Sequence, residues 1–459
     1  MAAVEKNNDY FLEITDISDE GQGVGHIDGF AVFVDGALAG ERVRIKIIKV
    51  LKNYAVGKLL EIQDSSPARI KPFCPVYKRC GGCSLQHMDY GAQLEFKTRM
   101  VRETLKRIGK IGGVETLVHD TIGMEHPFEY RNKAQYPVGM ADGKPAIGFY
   151  ARRSHDIIDV GNCGIHGHSG NAIREVCRRF IAENNISVYD ETGHKGLVRH
   201  LIIRSGFRTG EIMVVIVING KELPRKRALV DSLLAQVPEI KSIVLNINTA
   251  KTNVILGEKN IVIYGKATIT DYIGDLKFHV SPLSFFQVNP VQAEVLYNNA
   301  VEFAALSGSE TVFDLYCGTG TIALFMARKA KRVYGIEVVG EAVADARMNA
   351  EVNGVGNVEF VAGEVEKVVP ELCGSGGVRA DVVVVDPPRK GCEASVLDTI
   401  VRMGPERIVY VSCNPATLAR DLSYLEERGY ETAEVQPVDM FPWTYHVECV
   451  VLMQNVKNK

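Results

Sequence analysis

Two residues near the end of the chain are of the types that covalent catalysis uses. Cys413 directly follows an apolar strand pattern at 408–412, and Glu448 lies in a later apolar run at 446–451. A thiolate is a strong nucleophile, and a carboxylate can remove a proton. Because a free thiol has a pKa of about 8.5, we expect the site to lower that value, and residues 414–417 look like a helix start that would favour the thiolate.

A third carboxylate, Asp386, ends a buried strand pattern at 382–385. Pro387 and Pro388 follow it, and proline lacks the amide hydrogen that a central strand needs and disfavours a helix at the residue before it. The strand must therefore stop at Asp386. The strand that precedes Cys413 is expected to deliver that residue to the same edge of the sheet.

A cofactor loop is indicated by residues 312–324. This stretch reads as an apolar strand, a turn with Gly318 and Gly320, and the start of a helix. Such a junction lets a ligand approach the backbone and the helix amides. The next strand pattern ends at Glu337, where a carboxylate can accept hydrogen bonds from both hydroxyls of a ribose. Together they predict a cofactor that carries a nucleoside.

Three thiols lie close together in the sequence, at Cys74, Cys80 and Cys83. Ten cysteines in a chain that we predict to be cytoplasmic argue against a disulfide framework, so a soft metal site is expected, with a fourth ligand from elsewhere. Zinc and an iron–sulfur cluster both use such ligands; the five-residue gap before Cys80 fits the pairing of structural zinc sites less well. Cys177 falls in an amphipathic helix pattern and is expected to be buried.

Charge and hydropathy narrow the class of protein. The net charge is −3, yet residues 41–110 hold 16 Lys and Arg against 6 Asp and Glu, or +10, and residues 281–459 hold 15 against 24, or −9. This asymmetry predicts a polyanion-binding part and an acidic catalytic part. No apolar run approaches the length of a membrane span, and no signal-peptide pattern is present, so we expect no membrane contact.

The elements that must position these residues fall into three predicted domains. Residues 1–65 carry about five short strands with glycine turns, which predicts an OB-like β-barrel. Residues 66–282 read as an α+β domain, with a basic helix at 95–111 that would follow phosphates and a basic, aromatic strand at 128–136 paired with 147–155. Residues 283–459 alternate strand and helix, as in a doubly wound Rossmann-like sheet.

This set of motifs, in this order, resembles the S-adenosylmethionine-dependent RNA uracil-5-methyltransferases, and residues 1–65 resemble a TRAM domain, an RNA-binding module. The resemblance implies that Cys413 attacks C6 of a uracil and that Glu448 later removes the proton at C5. It implies that Cys163 joins the three clustered thiols to hold a four-iron, four-sulfur cluster. It also places five residues at the cofactor or the base: Gln287, Tyr316, Gly318, Glu337 and Asp386.

Alternatives remain at this stage. A barrel together with a cysteine cluster resembles the branch of the family that acts on 23S rRNA, and we expect a monomer with that substrate; transfer RNA is the alternative. A non-catalytic iron–sulfur RNA-binding protein would explain the first two domains only. Cys317 is a second cysteine near the cofactor loop, but nothing in the sequence near it would activate it. An amino-group methyltransferase would not need a cysteine, and DNA cytosine-5 enzymes commonly present theirs in a Pro-Cys pair.

Overall fold

The structure is a computed structural model that describes residues 4–167, 169–374 and 377–456. Its N-terminal part is a closed barrel with the strand order β1-β2-β3-β5-β4, as predicted. Gly25 is required where β1 and β2 cross closely, because a Cβ there would lie 2.3 Å from the carbonyl oxygen of Glu13. The strands are β1 (Asp9–Ile17), β2 (Gly23–Ile27), β3 (Phe30–Val34), β4 (Arg42–Val50) and β5 (Tyr54–Asp64).

The middle of the chain contains a six-stranded sheet in the order β13-β12-β11-β10-β6-β7, with helices α3 and α4 in its core cluster. A π-helical turn, Leu105–Gly109, extends the first helix. The elements are α1 (Tyr90–Thr104), α2 (Val114–Leu117), β6 (Lys133–Ala141), β7 (Lys144–Ile147), β8 (Phe149–Tyr150), β9 (Ile157–Ile158), α3 (Ser169–Glu183), β10 (Val198–Ser205), β11 (Ile212–Ile218), α4 (Lys226–Gln236), β12 (Ile240–Ile247) and β13 (Lys259–Gly265).

Helix α1 differs from its prediction at one residue. Lys97 belongs to the basic helix that is predicted to follow phosphates, but its side chain is 0% exposed and its ammonium pairs with Asp439 in the C-terminal part of the chain. Removing one partner of a buried ion pair lowers the free energy of unfolding by about 3–5 kcal/mol. Lys97 therefore stabilises the position of the helix and does not bind phosphate. Four other basic residues of the predicted helix do remain exposed, namely Arg99, Lys106, Arg107 and Lys110.

The predicted pairing of the basic, aromatic strand is also wrong. Strand β6 begins only at Lys133 and pairs with β10 on one side and β7 on the other. Residues 149–150 pair instead with 157–158 in a separate two-stranded ribbon. Short segments of similar alternation can exchange partners without changing their own pattern, and the core decides between them.

The C-terminal part is the predicted doubly wound sheet, in the order β18-β17-β16-β19-β20-β22-β21. The first five strands in that order are parallel, and β22 inserts antiparallel between β20 and β21. Parallel strands with helical crossovers place their carboxyl ends at one edge. The elements, after the hairpin β14 (Ile269–Ile273) and β15 (Leu276–Val280), are α5 (Pro290–Ala304), β16 (Thr311–Leu315), α6 (Thr321–Ala327), β17 (Arg332–Glu337), α7 (Gly340–Val352), β18 (Val358–Ala362), α8 (Val365–Cys373), β19 (Val382–Val385), α9 (Ala394–Met403), β20 (Arg407–Ser412), α10 (Pro415–Glu426), β21 (Tyr430–Val438) and β22 (Glu448–Asn455).

Apolar clusters cross the predicted domain boundaries. Val101 of α1 lies in the same core cluster as Phe313 of β16, and Phe278 of the β14-β15 hairpin lies in one cluster with Leu296 of α5. The boundaries at 65 and 282 therefore stay predictions. Within the described residues, none of the helices has both the length and the apolar character needed to cross a lipid bilayer.

Candidate active site

One cavity of about 920 Å³ lies at the carboxyl ends of β16, β19 and β20. Its other walls come from the cysteine loop at 74–86, from β6 and from the loop that joins β21 to β22. Ten of the eleven residues singled out in the sequence line it: Cys74, Cys80, Cys83, Cys163, Gln287, Tyr316, Gly318, Asp386, Cys413 and Glu448. Folding thus brings the candidate nucleophile, the base, the cofactor loop and the clustered thiols around a single space.

Cys413 lies at the junction of β20 and α10, partly exposed to the cavity. The helix starts where the sequence predicted: the side chain of Asn414 accepts a hydrogen bond from the amide of Ala416, and Pro415 occupies the first turn. Asn414 also donates through its side chain to the carbonyl of Arg389. The loop after Asp386 and the loop of Cys413 are therefore tied to each other.

The expected lowering of the Cys413 pKa is not found in this structure. Burial, followed by the carboxyls of Glu448 and Asp386, raises the pKa of the Cys413 thiol to about 11, against the opposing effect of Arg389. The physical reason is that the thiol is partly buried from water and lies near two carboxyl groups, and both conditions disfavour the charged thiolate. The amide of Ala416 in the first turn of α10 is engaged by Asn414 and not by the thiol.

This pKa predicts the pH dependence of Cys413 alkylation. A raised pKa keeps the thiol protonated at neutral pH, so its reaction with iodoacetamide, followed by peptide mass spectrometry, should rise about tenfold per pH unit from pH 7 towards the pKa. Glu448→Gln removes one of the acids that raise the pKa and should speed alkylation at a given pH. Glu427→Gln, an exposed acid after α10, is the matched control. A rate already constant from pH 6 would contradict this assignment.

Glu448 is the first residue of β22 and is buried. Burial, and then the neighbouring Asp386, raises its pKa well above the usual range, while Arg389 acts in the opposite direction. Burial also raises the pKa of Asp386 to about 7. A carboxylate whose pKa has been raised is a stronger base, which suits a group that must take a proton from carbon.

The cofactor loop has the strained backbone that close ligand approach requires. Tyr316, Gly318 and Gly320 have φ values of +66°, +54° and +80°, the left-handed region that is uncommon for a tyrosine. The amide of Gly318 donates to Glu337 at 3.1 Å, and the amide of Val339 donates to the other carboxylate oxygen at 2.9 Å. Glu337 is the one predicted residue that does not line the cavity; it contacts the loop that does.

The cavity lining also includes Gln287, whose backbone is held from the middle of the chain. Its carbonyl accepts from the side chain of Asn132 at 2.9 Å. The two phenylalanines before it differ: Phe286 is buried against Phe278, whereas Phe285 lines the cavity with 72% of its surface exposed. Phe286 is therefore core, and Phe285 is available to a flat ligand.

Three cavity residues carry chemistry that the sequence motifs did not predict. Asp314, on β16, is fully buried, and burial together with Asp386 raises its pKa well above the usual range. His446 lines the cavity two residues before Glu448, and burial, with Arg389 next in effect, lowers its pKa to about 4. Arg389 brings a positive charge beside the two acids. Asp314 could have been recognised from the sequence, because it is a lone acid inside an apolar strand.

The four cysteines of the predicted cluster line the cavity together. Burial is the largest effect that raises the pKa of Cys83 to about 12, and Cys163, Cys80 and Cys74 contribute to that increase, which puts the other three thiols near it. Across the described ranges, no group of three or more His, Cys, Asp or Glu side chains is arranged to hold a metal ion. Cys177 is buried in α3, as predicted.

Comparisons with known proteins decide the family. The model of the tRNA (uracil-5-)-methyltransferase family matches residues 210–456, and the TRAM domain model matches residues 9–60. The chain belongs to the RNA uracil-5-methyltransferase family. An uncharacterized RNA methyltransferase of Clostridium tetani is 54% identical over 98% of this chain and 97% of its own length, and one from Caldanaerobacter subterraneus is 54% identical over 99% and 100%.

A solved structure supports the same conclusion. The Pyrococcus abyssi tRNA (uracil-54, C5)-methyltransferase in complex with S-adenosyl-L-homocysteine covers 96% of this chain and 99% of its own, with 29% identity and a TM-score of 0.77. This uracil-5-methyltransferase is therefore an S-adenosylmethionine-dependent RNA methyltransferase with an N-terminal TRAM barrel. A non-catalytic RNA-binding protein is excluded.

Proposed function

We propose that the enzyme methylates C5 of a uridine in 23S rRNA through a covalent bond between Cys413 and C6 of the base. The observation that carries the proposal is the meeting of Cys413, Glu448 and Asp386 at one cavity with the cofactor loop. Uracil C5 is a poor nucleophile. Attack at C6 by a thiolate turns it into an enolate carbon that can accept a methyl group.

The residues divide the reaction between them. The Cys413 thiolate forms the S–C6 bond, and the C5–C6 electron pair moves into the enolate. Bound S-adenosylmethionine supplies an electrophilic methyl group. After C5 is methylated, Glu448 takes the C5 proton, the C5–C6 double bond re-forms and the S–C6 bond breaks, which returns the thiolate. The proton that Glu448 then releases to water balances the reaction.

The thiolate must form from a thiol whose pKa is raised in the free protein. Asp386 and Glu448 both raise that pKa, so neutralising either acid would lower it. We infer that a uracil entering the cavity, by hydrogen bonding to Asp386 and approaching Arg389, shifts this balance towards the thiolate. Geometry and protonation in catalytic sites often become productive only with the substrate in place.

The target base must leave its stack to reach Cys413. Phe285, exposed at the cavity, offers a surface on which a splayed base can stack, and Arg131 and Lys133, which also line the cavity, offer positive charge to the RNA backbone. Gln287, Tyr316, Gly318, Glu337 and Asp386 are proposed to bind S-adenosylmethionine or position the base, with Glu337 at the ribose. We further propose a cytoplasmic monomer.

We propose that Cys74, Cys80, Cys83 and Cys163 hold a four-iron, four-sulfur cluster. The residues suit that group, because four thiols line the same cavity and influence each other's pKa. Methyl transfer to the enolate needs no redox step. The cluster would act by holding the cysteine loop in its fold.

Protein purified without oxygen should be brown, with about four iron and four sulfide ions per chain. Cys163→Ser should lose the colour and most of the iron, because it removes one of four ligands. Cys177→Ser is the matched control, because that thiol is buried in α3 away from the cavity lining. A colourless protein with one zinc per chain would refute the cluster.

The 23S rRNA assignment rests on the combination of a barrel with clustered thiols, which resembles the ribosomal branch of the family. Transfer RNA is the second candidate, because the Pyrococcus abyssi enzyme named for uracil 54 of tRNA covers 96% of this chain. Overall architecture therefore does not separate the two substrates.

Incubation of the enzyme with labelled S-adenosylmethionine and unmodified total RNA tests the substrate. We expect label in naked 23S rRNA, at one or two loop uridines, and none with Cys413→Ala. Label in transfer RNA alone would show that the substrate is transfer RNA, and it would not contradict the proposed chemistry.

A further inference from the structure

The loop that delivers Glu448 to the cavity, residues 439–447, is held by the cysteine loop. The carbonyl of Trp443 accepts hydrogen bonds from the amides of Ser84 at 3.0 Å and Leu85 at 2.9 Å. The amide of Tyr445 donates in return to the side-chain oxygen of Ser84 at 3.1 Å. Ser84 follows Cys83 directly, so these bonds join a candidate cluster ligand to the chain just before the base.

The side chain of Trp443 strengthens this connection. It is only 3% exposed, its indole N–H donates to the carbonyl of Pro127 at 2.6 Å, and its ring lies 5.2 Å from Phe73 and 5.3 Å from Phe128. The same apolar cluster contains three of the four clustered thiols: Cys74, Cys83 and Cys163. Trp443 has φ of +69°, a conformation that a bulky residue keeps only where surrounding contacts hold it.

The start of the same loop is anchored separately. Asp439 pairs with the buried Lys97 and accepts from the hydroxyl of Tyr90 at 2.8 Å, both on α1. Its first half is therefore held without the cysteine loop. The residues that lead into Glu448 bond to the cysteine loop at Trp443 and Tyr445, although the amide of Trp443 also donates to the side chain of Gln93 on α1 at 3.1 Å. A change in the cysteine loop would reach Glu448 through this segment, whereas Cys413 is positioned at the junction of β20 and α10.

We propose that Trp443 and Ser84 are positioning residues that couple the cysteine site to Glu448, so that disturbing the cluster slows removal of the C5 proton more than the preceding steps. This inference rests on the proposed function, since it takes Glu448 as the base. It assigns the cysteine site an effect on one chemical step, through packing and hydrogen bonds rather than through electron transfer.

Ser84→Ala and Trp443→Phe test the coupling in the full-length protein. Single-turnover experiments with substrate RNA measure the rate at which the protein–RNA adduct forms and the rate at which it resolves. We expect resolution to slow by about tenfold or more in both variants, with adduct formation and S-adenosylmethionine affinity changed by less than about twofold. Ser232→Ala, on the exposed face of α4, is the matched control.

Two further readouts separate positioning from general damage. Trp443 is the only tryptophan of the chain, so its fluorescence emission reports this loop directly and should shift in Ser84→Ala but not in Ser232→Ala. Removing the cluster by chelation should slow resolution in the wild type and shift the same emission.

Unchanged resolution in both variants, or equal losses in formation and resolution, would overturn the proposal. The proposal would also be overturned if the wild-type protein, after removal of the cluster, resolved the adduct at its original rate. Glu448→Gln serves as the reference: if that variant does not accumulate adduct, the base assignment of the proposed function fails, and the coupling fails with it.

Discussion

Cys413→Ala is expected to abolish methyl transfer, with turnover reduced by at least about 10³-fold, because in the proposed mechanism this thiol forms the bond to C6 that activates C5. Affinity for S-adenosylmethionine should stay within about twofold, since the thiol is expected to meet the base and not the cofactor. RNA containing 5-fluorouridine should give a covalent adduct with the wild type, visible as a shift on a denaturing gel, and none with this variant.

Cys317→Ala is the matched control for this experiment. Cys317 also lines the cavity and is also a buried thiol, and burial raises its pKa. It lies in the cofactor loop beside Asp314 and Glu337, both of which disfavour its thiolate further, and no positive group offsets them. Activity lost in Cys317→Ala and kept in Cys413→Ala would reverse the assignment of the nucleophile.

Glu448→Gln is expected to trap the enzyme after methyl transfer. The amide cannot accept the C5 proton, so adduct should accumulate on natural RNA while turnover falls by about 10²–10⁴-fold, the usual contribution of a general base. Formation of the adduct should not slow, because removing the Glu448 carboxyl also removes an effect that raises the pKa of Cys413. A denaturing gel of single-turnover samples, with label in the methyl group, would detect methylated RNA still bound to protein.

Glu427→Gln should behave as the wild type in the same assay, because that acid is exposed on the surface after α10. A Glu448→Gln enzyme that turned over normally would show that another group takes the proton. Asp386 would then be the first candidate, since its carboxyl is buried at the same cavity and its pKa is raised to about 7.

Wherever local sequence carries the signal, the predictions made from it agree with the structure. The barrel, the alternation of strands and helices after residue 311, and the helix start at Asn414 follow from hydrophobic period, glycine turns and capping chemistry. These are properties of a few consecutive residues. The carboxyl ends of parallel strands then meet at one edge whatever the loops contain, which is why Asp386 and Cys413 could be expected together.

Where the environment is built from distant segments, the predictions were wrong or incomplete. Lys97 has the pattern of a solvated helix residue, yet Asp439, far along the chain, pairs with it in the core. The partner of β6 depended on which strand completed the central sheet. The pKa of Cys413 depends on burial and on two acids from other strands, whose effects local sequence does not contain.

The sequence by itself determined the family, the order of the elements and the residue types that the chemistry needs, because these are written in short patterns and their spacing. Only the tertiary structure decided that the clustered thiols and Glu448 share a cavity, and that Trp443 connects the loops that carry them. Those contacts join residues more than 300 positions apart. They depend on how separately folded segments pack, and packing is set by the shape of the whole core rather than by any one segment.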